Sequence, residues 1–190
     1  MRVSRVTLLS IVFFAIIVAP AAFAADYQID PVHTSLIYRI KHMNSSYSYG
    51  RFDKPEGTFS YDPDHPDQST FDVSVAVDNL DTGYAKRDSD LKGPDWFNAK
   101  EYPTMSFKST SVKKDGDKLD VTGDLTIHGV TKSVTVPFDI VGTATMMGQT
   151  HTGFEGTLDI KRSDFGITAM PQVAGEDVRL IISLDGLEKK

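Results

Sequence analysis

The 190-residue chain contains no cysteine and only one tryptophan. The missing thiols exclude disulfides, cysteine nucleophiles, thiolate metal sites and a lipid anchor hung on cysteine. Also missing are a P-loop, a dinucleotide fingerprint, a zinc-protease helix and a G-x-S-x-G elbow, so the familiar signatures of catalysis are absent. Basic residues are in deficit, with 20 lysines and arginines against 26 acids and a net charge of −6 at pH 7. That balance disfavours nucleic acid and anionic membrane surfaces as partners. Long apolar runs are lacking too, except at the start. There Arg2 and Arg5 precede a mostly apolar Val6–Val18, and Ala22-Phe23-Ala24 has the small-x-small form that signal peptidase cuts. The run is shorter than the ~20 residues of a membrane span and meets Pro20. A leader over residues 1–24, cleaved after Ala24, is therefore expected, followed by a domain over residues 25–190.

What remains is dominated by alternation of period two, the mark of strands with one apolar and one wet face. Leu36, Tyr38 and Ile40 alternate with Ile37, Arg39 and Lys41, and Phe71, Val73, Val75 and Val77 with Asp72, Ser74, Ala76 and Asp78. The pattern recurs at Met105 and Phe107, through Leu119–Ile127, Val134–Ile140 and Phe154–Ile160, and again from Val178 to Leu184. With Arg51–Tyr61 this makes eight strands. Turn chemistry at Asp62-Pro63-Asp64, Asp115-Gly116-Asp117, His128-Gly129 and Gly148 makes consecutive strands antiparallel. The long connection is Asp81–Tyr102, where Asp81 or Thr82 caps a short helix that ends at Gly93-Pro94. It joins strands three and four.

Eight antiparallel strands form either a closed barrel or a two-sheet sandwich. The apolar face is rich in Phe, Tyr, Val and Ile, which favours a barrel filled by side chains or by one small ligand. Its candidate wall is Tyr38, Phe71, Val73, Val75, Phe107, Phe138, Phe154 and Leu180. Trp96, Phe97 and Tyr102, on the long connection, are either a lid over the barrel mouth or a satellite cluster beneath a loop.

Several segments together resemble the YceI-like, polyisoprenoid-binding family of exported bacterial proteins. They are HTSLIYRIKH from His33 with GRF after it, RDSDLKGPDWFNAKEYPTMSFKSTSV from Arg87, GDLTIHGVTKSVTVPFDI from Gly123, IKRSDFGI from Ile160 and VRLIISL to Leu184. The resemblance implies an all-β, lipocalin-like antiparallel barrel with an apolar channel for a polyisoprenoid, an isoprenoid quinone or a fatty-acyl chain. It implies a periplasmic carrier that needs no cofactor and meets the membrane only as donor or acceptor of its ligand. One departure stands out: where the family usually reads Arg-Asp-x-His-Leu, this chain has Asp90 in place of the histidine.

The polar candidates have plainer readings beside the chemical ones. His128 sits in a tight turn, with Gly129 supplying positive φ, and no second ligand lies at metal spacing. His33 and His42 fall on opposite faces of a regular strand, and the acidic run Asp62–Asp67 places Pro66 where a calcium loop needs a ligand. No metal is expected. Arg87 with Asp88, and Arg162 with Asp164, read as ion pairs that fix the barrel's end rather than as a head-group site. Phe165 and Gly166 read as the plug and kink that end a strand. The expected function is a non-enzymatic lipid carrier, with a self-filled barrel acting as an interaction or stress protein as the alternative. A homodimer is left open.

Overall fold

The computed structural model describes residues 24–190, so the expected leader lies outside it except for Ala24. Its strand segments are β1 (Ala25–Ile29), β2 (Ser35–His42), β3 (Ser46–Phe52), β4 (Glu56–Tyr61), β5 (Thr70–Ala76) and β6 (Leu80–Asp81), then β7 (Thr104–Asp115), β8 (Lys118–Ile127), β9 (Val130–Met146), β10 (Gln149–Lys161) and β11 (Ala174–Glu188). The helix α1 (Ala85–Lys92) lies between β6 and β7. Every ladder is antiparallel, and pairing runs β1-β4-β5-β7-β8-β9-β10-β11 and back to β1, which closes a barrel.

The ring has the eight strands expected from the alternation, with α1 in the expected connection. Three neighbouring strands are each bent once. β1 continues as β2, β3 as β4 and β5 as β6, and the upper halves pair among themselves and with β11. The first strand therefore begins at Ala25, not Leu36, because the chain is bent at Asp30-Pro31 and resumes on the same ladder side. Proline cannot donate to a ladder, so a bend is its natural place.

The same four-residue turn is built twice. In Asp30-Pro31-Val32-His33 the carboxylate accepts the Val32 N–H at 2.8 Å and meets His33 Nδ1 at 2.6 Å. In Asp62-Pro63-Asp64-His65 the corresponding distances are 2.8 and 3.0 Å. The acidic run after β4 is thus a side-chain-capped turn, with Asp62 committed to its own loop.

Inward side chains form two apolar clusters, one above the other. The lower, at the end carrying the 116–117 and 147–148 turns, is a stack of aromatic rings. Phe154, fully buried, lies edge-on to Phe59, Tyr61 and Phe71 at centroid distances of 5.4, 5.2 and 5.4 Å. Gly186 makes room for Phe59, since a Cβ there would run into that ring. The upper cluster, including Phe52, Val75, Met105 and Phe165, lies beneath α1 and the 162–173 segment.

The Asp62–His65 turn carries a pH signature. A hydrogen bond to His65 holds the Asp62 carboxyl below its ordinary 3.8, and the same bond raises His65 above its ordinary 6.5. The histidine's contribution to stability is complete below pH 6.5 and lost as pH rises through its raised value; the carboxylate's is complete above pH 3.8 and lost as pH falls through its lowered value. The melting-temperature gap between the parent and His65→Gln should be widest between these limits and narrow at alkaline pH. A gap that is constant with pH would show that the pair does not contribute as an ion pair.

Candidate functional site

Above the aromatic stack the barrel is not filled. A cavity of about 430 Å³ opens there, within the ~300–1,000 Å³ range of small-ligand pockets. Leu36, Ile40, Phe107, Leu158, Leu180 and Ile182 point into it and stay half-buried, although strands enclose them. Their counterparts in the lower half, such as Leu119, Val121 and Phe154, are completely covered. Phe71, Val136 and Phe138 line the cavity and also belong to the lower cluster, so they form its floor.

Seven of the eight wall candidates line this space: Tyr38, Phe71, Val73, Val75, Phe107, Phe138 and Leu180. Phe154 does not. Its strand position is inward, but its ring sits below the floor, at the centre of the aromatic stack. Alternation gives the face of a residue and not its height along the barrel axis, which is why the sequence could not separate it. The same alternation should have admitted Leu125, Ile127 and Leu158, which also line the cavity. Burial is the main reason the Tyr38 phenol is pushed up to about 12, with nearby Arg87 opposing and Asp88 adding to the shift.

The long connection divides in role. Trp96 and Phe97 face the cavity, together with Leu91 of α1. Tyr102 turns away, edge-on to the His128 ring at 4.7 Å, with its hydroxyl donating to Glu101 at 3.0 Å. It belongs to the seam between connections rather than to the lid.

The expected Arg–Asp ion pairs do not form. Arg87 donates to the Thr82 hydroxyl at 2.8 Å and the Thr82 carbonyl at 2.6 Å, while Asp88 accepts the Thr82 N–H at 2.9 Å. Arginine and aspartate hold one threonine between them, which pins the entry to α1. The hydrogen bond from Thr82 is the first cause of the lowered Asp88 pKa. Asp164 is exposed and leaves Arg162 alone. Buried Arg162 instead donates to three backbone carbonyls, those of Ile167 and Gly175 at 3.0 Å and Ala174 at 3.1 Å. Its guanidinium lies 5.6 Å from the Trp96 ring centroid. The planar fork matches three fixed acceptors, a task a lysine cannot perform. Asp90, at the cavity rim, is neutralised by Lys86 one helical turn earlier, at 2.9 Å.

His128 turns the corner, as its position suggested, with φ of 51° followed by Gly129 at 72°. Its Nδ1–H donates to the Phe165 carbonyl at 3.1 Å, tying the β8–β9 turn to the 162–173 segment. Gly166 follows Phe165 in the left-handed region with φ of 76°, and Phe165 is buried against the upper cluster. Backbone and ring contacts thus join three connections over the upper end.

Two stability predictions follow from this network. Arg162→Ala removes the donor from one buried and two half-buried carbonyls, at about 1–3 kcal/mol for the buried group and less for the others, so a loss of about 2–4 kcal/mol is expected. Arg162→Lys should recover only part of it. Equal melting of Ala and parent proteins in a thermal scan would remove the anchoring role. Gly129→Val should cost about 1–3 kcal/mol from backbone strain, and more from collision with the Tyr102 ring. His128→Asn keeps the turn and loses one hydrogen bond, about 1 kcal/mol. Denaturant titration ranks the two, and a reversed order would contradict the geometry.

The family model of the YceI-like domain matches residues 27–185. Protein YceI of Escherichia coli O157:H7 is 42% identical over 175 residues, covering 90% of this chain and 92% of that protein. Among solved structures, Burkholderia cenocepacia BcnA superimposes with a TM-score of 0.74 at 28% identity, covering 83% of this chain and 98% of BcnA. A polyisoprenoid binding domain from Saccharophagus degradans, implicated in plant cell wall breakdown, shares the fold at a TM-score of 0.65 and 16% identity, over 88% of this chain and all of that one.

Proposed function

The chain belongs to the YceI-like domain family, and from that premise we propose that it is a periplasmic, non-enzymatic carrier of a long apolar chain held in the upper half of the barrel. The observation that carries this reading is the ring of inward apolar side chains left half-exposed around the cavity. A fold gains by covering such side chains, at about 25 cal/mol for each Å² taken from water, and here the surface is left for a ligand to cover. The polyisoprenoid binding domain of the same fold supports an isoprenoid, and the apolar lining would equally take an isoprenoid quinone or a fatty-acyl chain.

Three charged groups at the cavity support binding rather than catalysis. Arg87, Asp90 and Arg162 are each committed to protein partners, to Thr82, Lys86 and three carbonyls respectively. The chain's net charge of −6 sets it against a lasting stay on anionic lipid.

Magnitudes then decide the mode of action. Each buried CH₂ is worth ~0.8 kcal/mol against water, so a long isoprenoid sums to tens of kcal/mol. Non-covalent affinities stop near ~18–21 kcal/mol, and the true competitor is the bilayer, already as apolar as the cavity. Moving a tail from membrane to barrel is therefore nearly isoenergetic. The protein exchanges its ligand passively, and selection rests on cavity shape.

Labelled isoprenoid moving between two vesicle populations should move faster when the protein is present. Leu180→Trp fills the cavity without adding charge and should abolish that acceleration while leaving the melting temperature near the parent's. Phe107→Asp should abolish it as well. No acceleration by the parent, together with no lipid in a solvent extract of protein from its native host, would replace the carrier with a self-filled interaction protein.

A further inference from the structure

On the outside of the barrel, the bend between β1 and β2 meets β10 and β11. Asp30 there is 7% exposed, and its carboxylate lies within 4.8 Å of donor atoms on both His151 and Asp185. Two neighbouring carboxylates need a cation, yet neither has a lysine or arginine partner among the described residues. Imidazoles alone answer them: His33 Nδ1 meets Asp30 at 2.6 Å and His151 Nδ1 meets Asp185 at 2.8 Å. The two rings stand edge to face with centroids 6.2 Å apart.

We propose that Asp30, His151 and Asp185 bind a divalent transition-metal ion, with His33, outside the cluster itself, orienting the Asp30 carboxylate. Mixed imidazole and carboxylate donors suit zinc and its neighbours in the first transition row, and no soft thiolate is needed. Donors around zinc lie ~2.0–2.2 Å from the ion, so the present spacing closes by side-chain rotation alone. His151 and Asp185 have side chains 30% and 26% exposed, which leaves the ion a path in.

The backbone beneath is rigidly fixed. Asp30 N–H donates to the Asp185 carbonyl at 2.9 Å, the Thr34 hydroxyl donates to the same carbonyl at 3.1 Å, and Thr34 N–H donates to the Asp30 carbonyl at 3.0 Å. Such a frame fixes where each strand presents its donor and leaves only side-chain rotation to bring the donors onto the ion. The location also gives the ion a consequence. The ladder by which the bent first strand closes the barrel on β11 is interrupted between Ile29–Gly186 and Ser35–Ser183, and the cluster sits at that interruption. A bound ion fastens that closure.

The second Asp-Pro-x-His turn supplies the control. Asp62 and His65 reproduce the Asp30–His33 contact, but they are not part of this donor cluster. Calorimetric titration of tag-free protein with Zn²⁺ should show one site per chain and a raised melting temperature. His151→Gln and Asp185→Asn should each weaken binding tenfold or more and cancel the rise in melting temperature, while His65→Gln leaves both unchanged. The proposal is overturned if Zn²⁺ gives no saturable binding, if the His151 and Asp185 variants bind like the parent, or if His65→Gln loses as much.

Discussion

Phe154 lies with Phe59, Tyr61, Phe71 and Phe138 around it, at ring-centroid distances from 5.2 to 6.3 Å. Each such aromatic pair adds about 0.5–1.5 kcal/mol to the burial of its rings. The cluster fills the lower half of an eight-stranded barrel, a width that side chains can just span. It ends at Phe71 and Phe138, and the cavity begins there. The lower half is filled by its own side chains, and the upper half encloses an apolar cavity. Burial in the packed lower half stabilises the fold although the upper half keeps apolar surface uncovered.

The upper end needs another kind of support, because its strands splay. The β9–β10 ladder stops at Phe138–Gly156, and the next residue of β9 is Pro137, which has no N–H to continue it. Above that point three connections are cross-linked by polar contacts. Arg162 gathers the carbonyls of the 167–175 stretch, His128 bonds to Phe165, and Tyr102 packs on His128. These contacts hold a rim around an opening without closing it. Charged residues that would be costly if left unpaired in a core here do mechanical work at a boundary.

Much of this was legible in the chain, and the failures share a cause. Period-two alternation found the strands, and Gly93-Pro94 marked the end of the helix. Alternation also put Phe154 on the inner face, but height along the barrel axis depends on register between distant strands, and no local pattern carries that. The Arg–Asp pairs failed for a related reason. Sequence neighbours were taken as partners, whereas Arg162 reaches carbonyls up to thirteen residues away across a loop. The Asp30–His151–Asp185 cluster was invisible because its members come from three separate strands or bends. What was read from the chain was the face of each strand and the barrel they form; what was missed depends on register along the barrel axis and on contacts between connections.

On the proposed function, an apolar chain enters the upper half of the barrel and stops at the aromatic floor. Trp96, the chain's only tryptophan, lines that half and reports on it directly. Its fluorescence can be followed while fatty acids brominated at successive carbons are added. The account predicts saturable quenching at one ligand per chain, strong for bromine at one stretch of the chain and weak for the others, because the floor fixes the depth of the tail. Quenching that is absent, or that rises linearly with ligand and ignores bromine position, would contradict it.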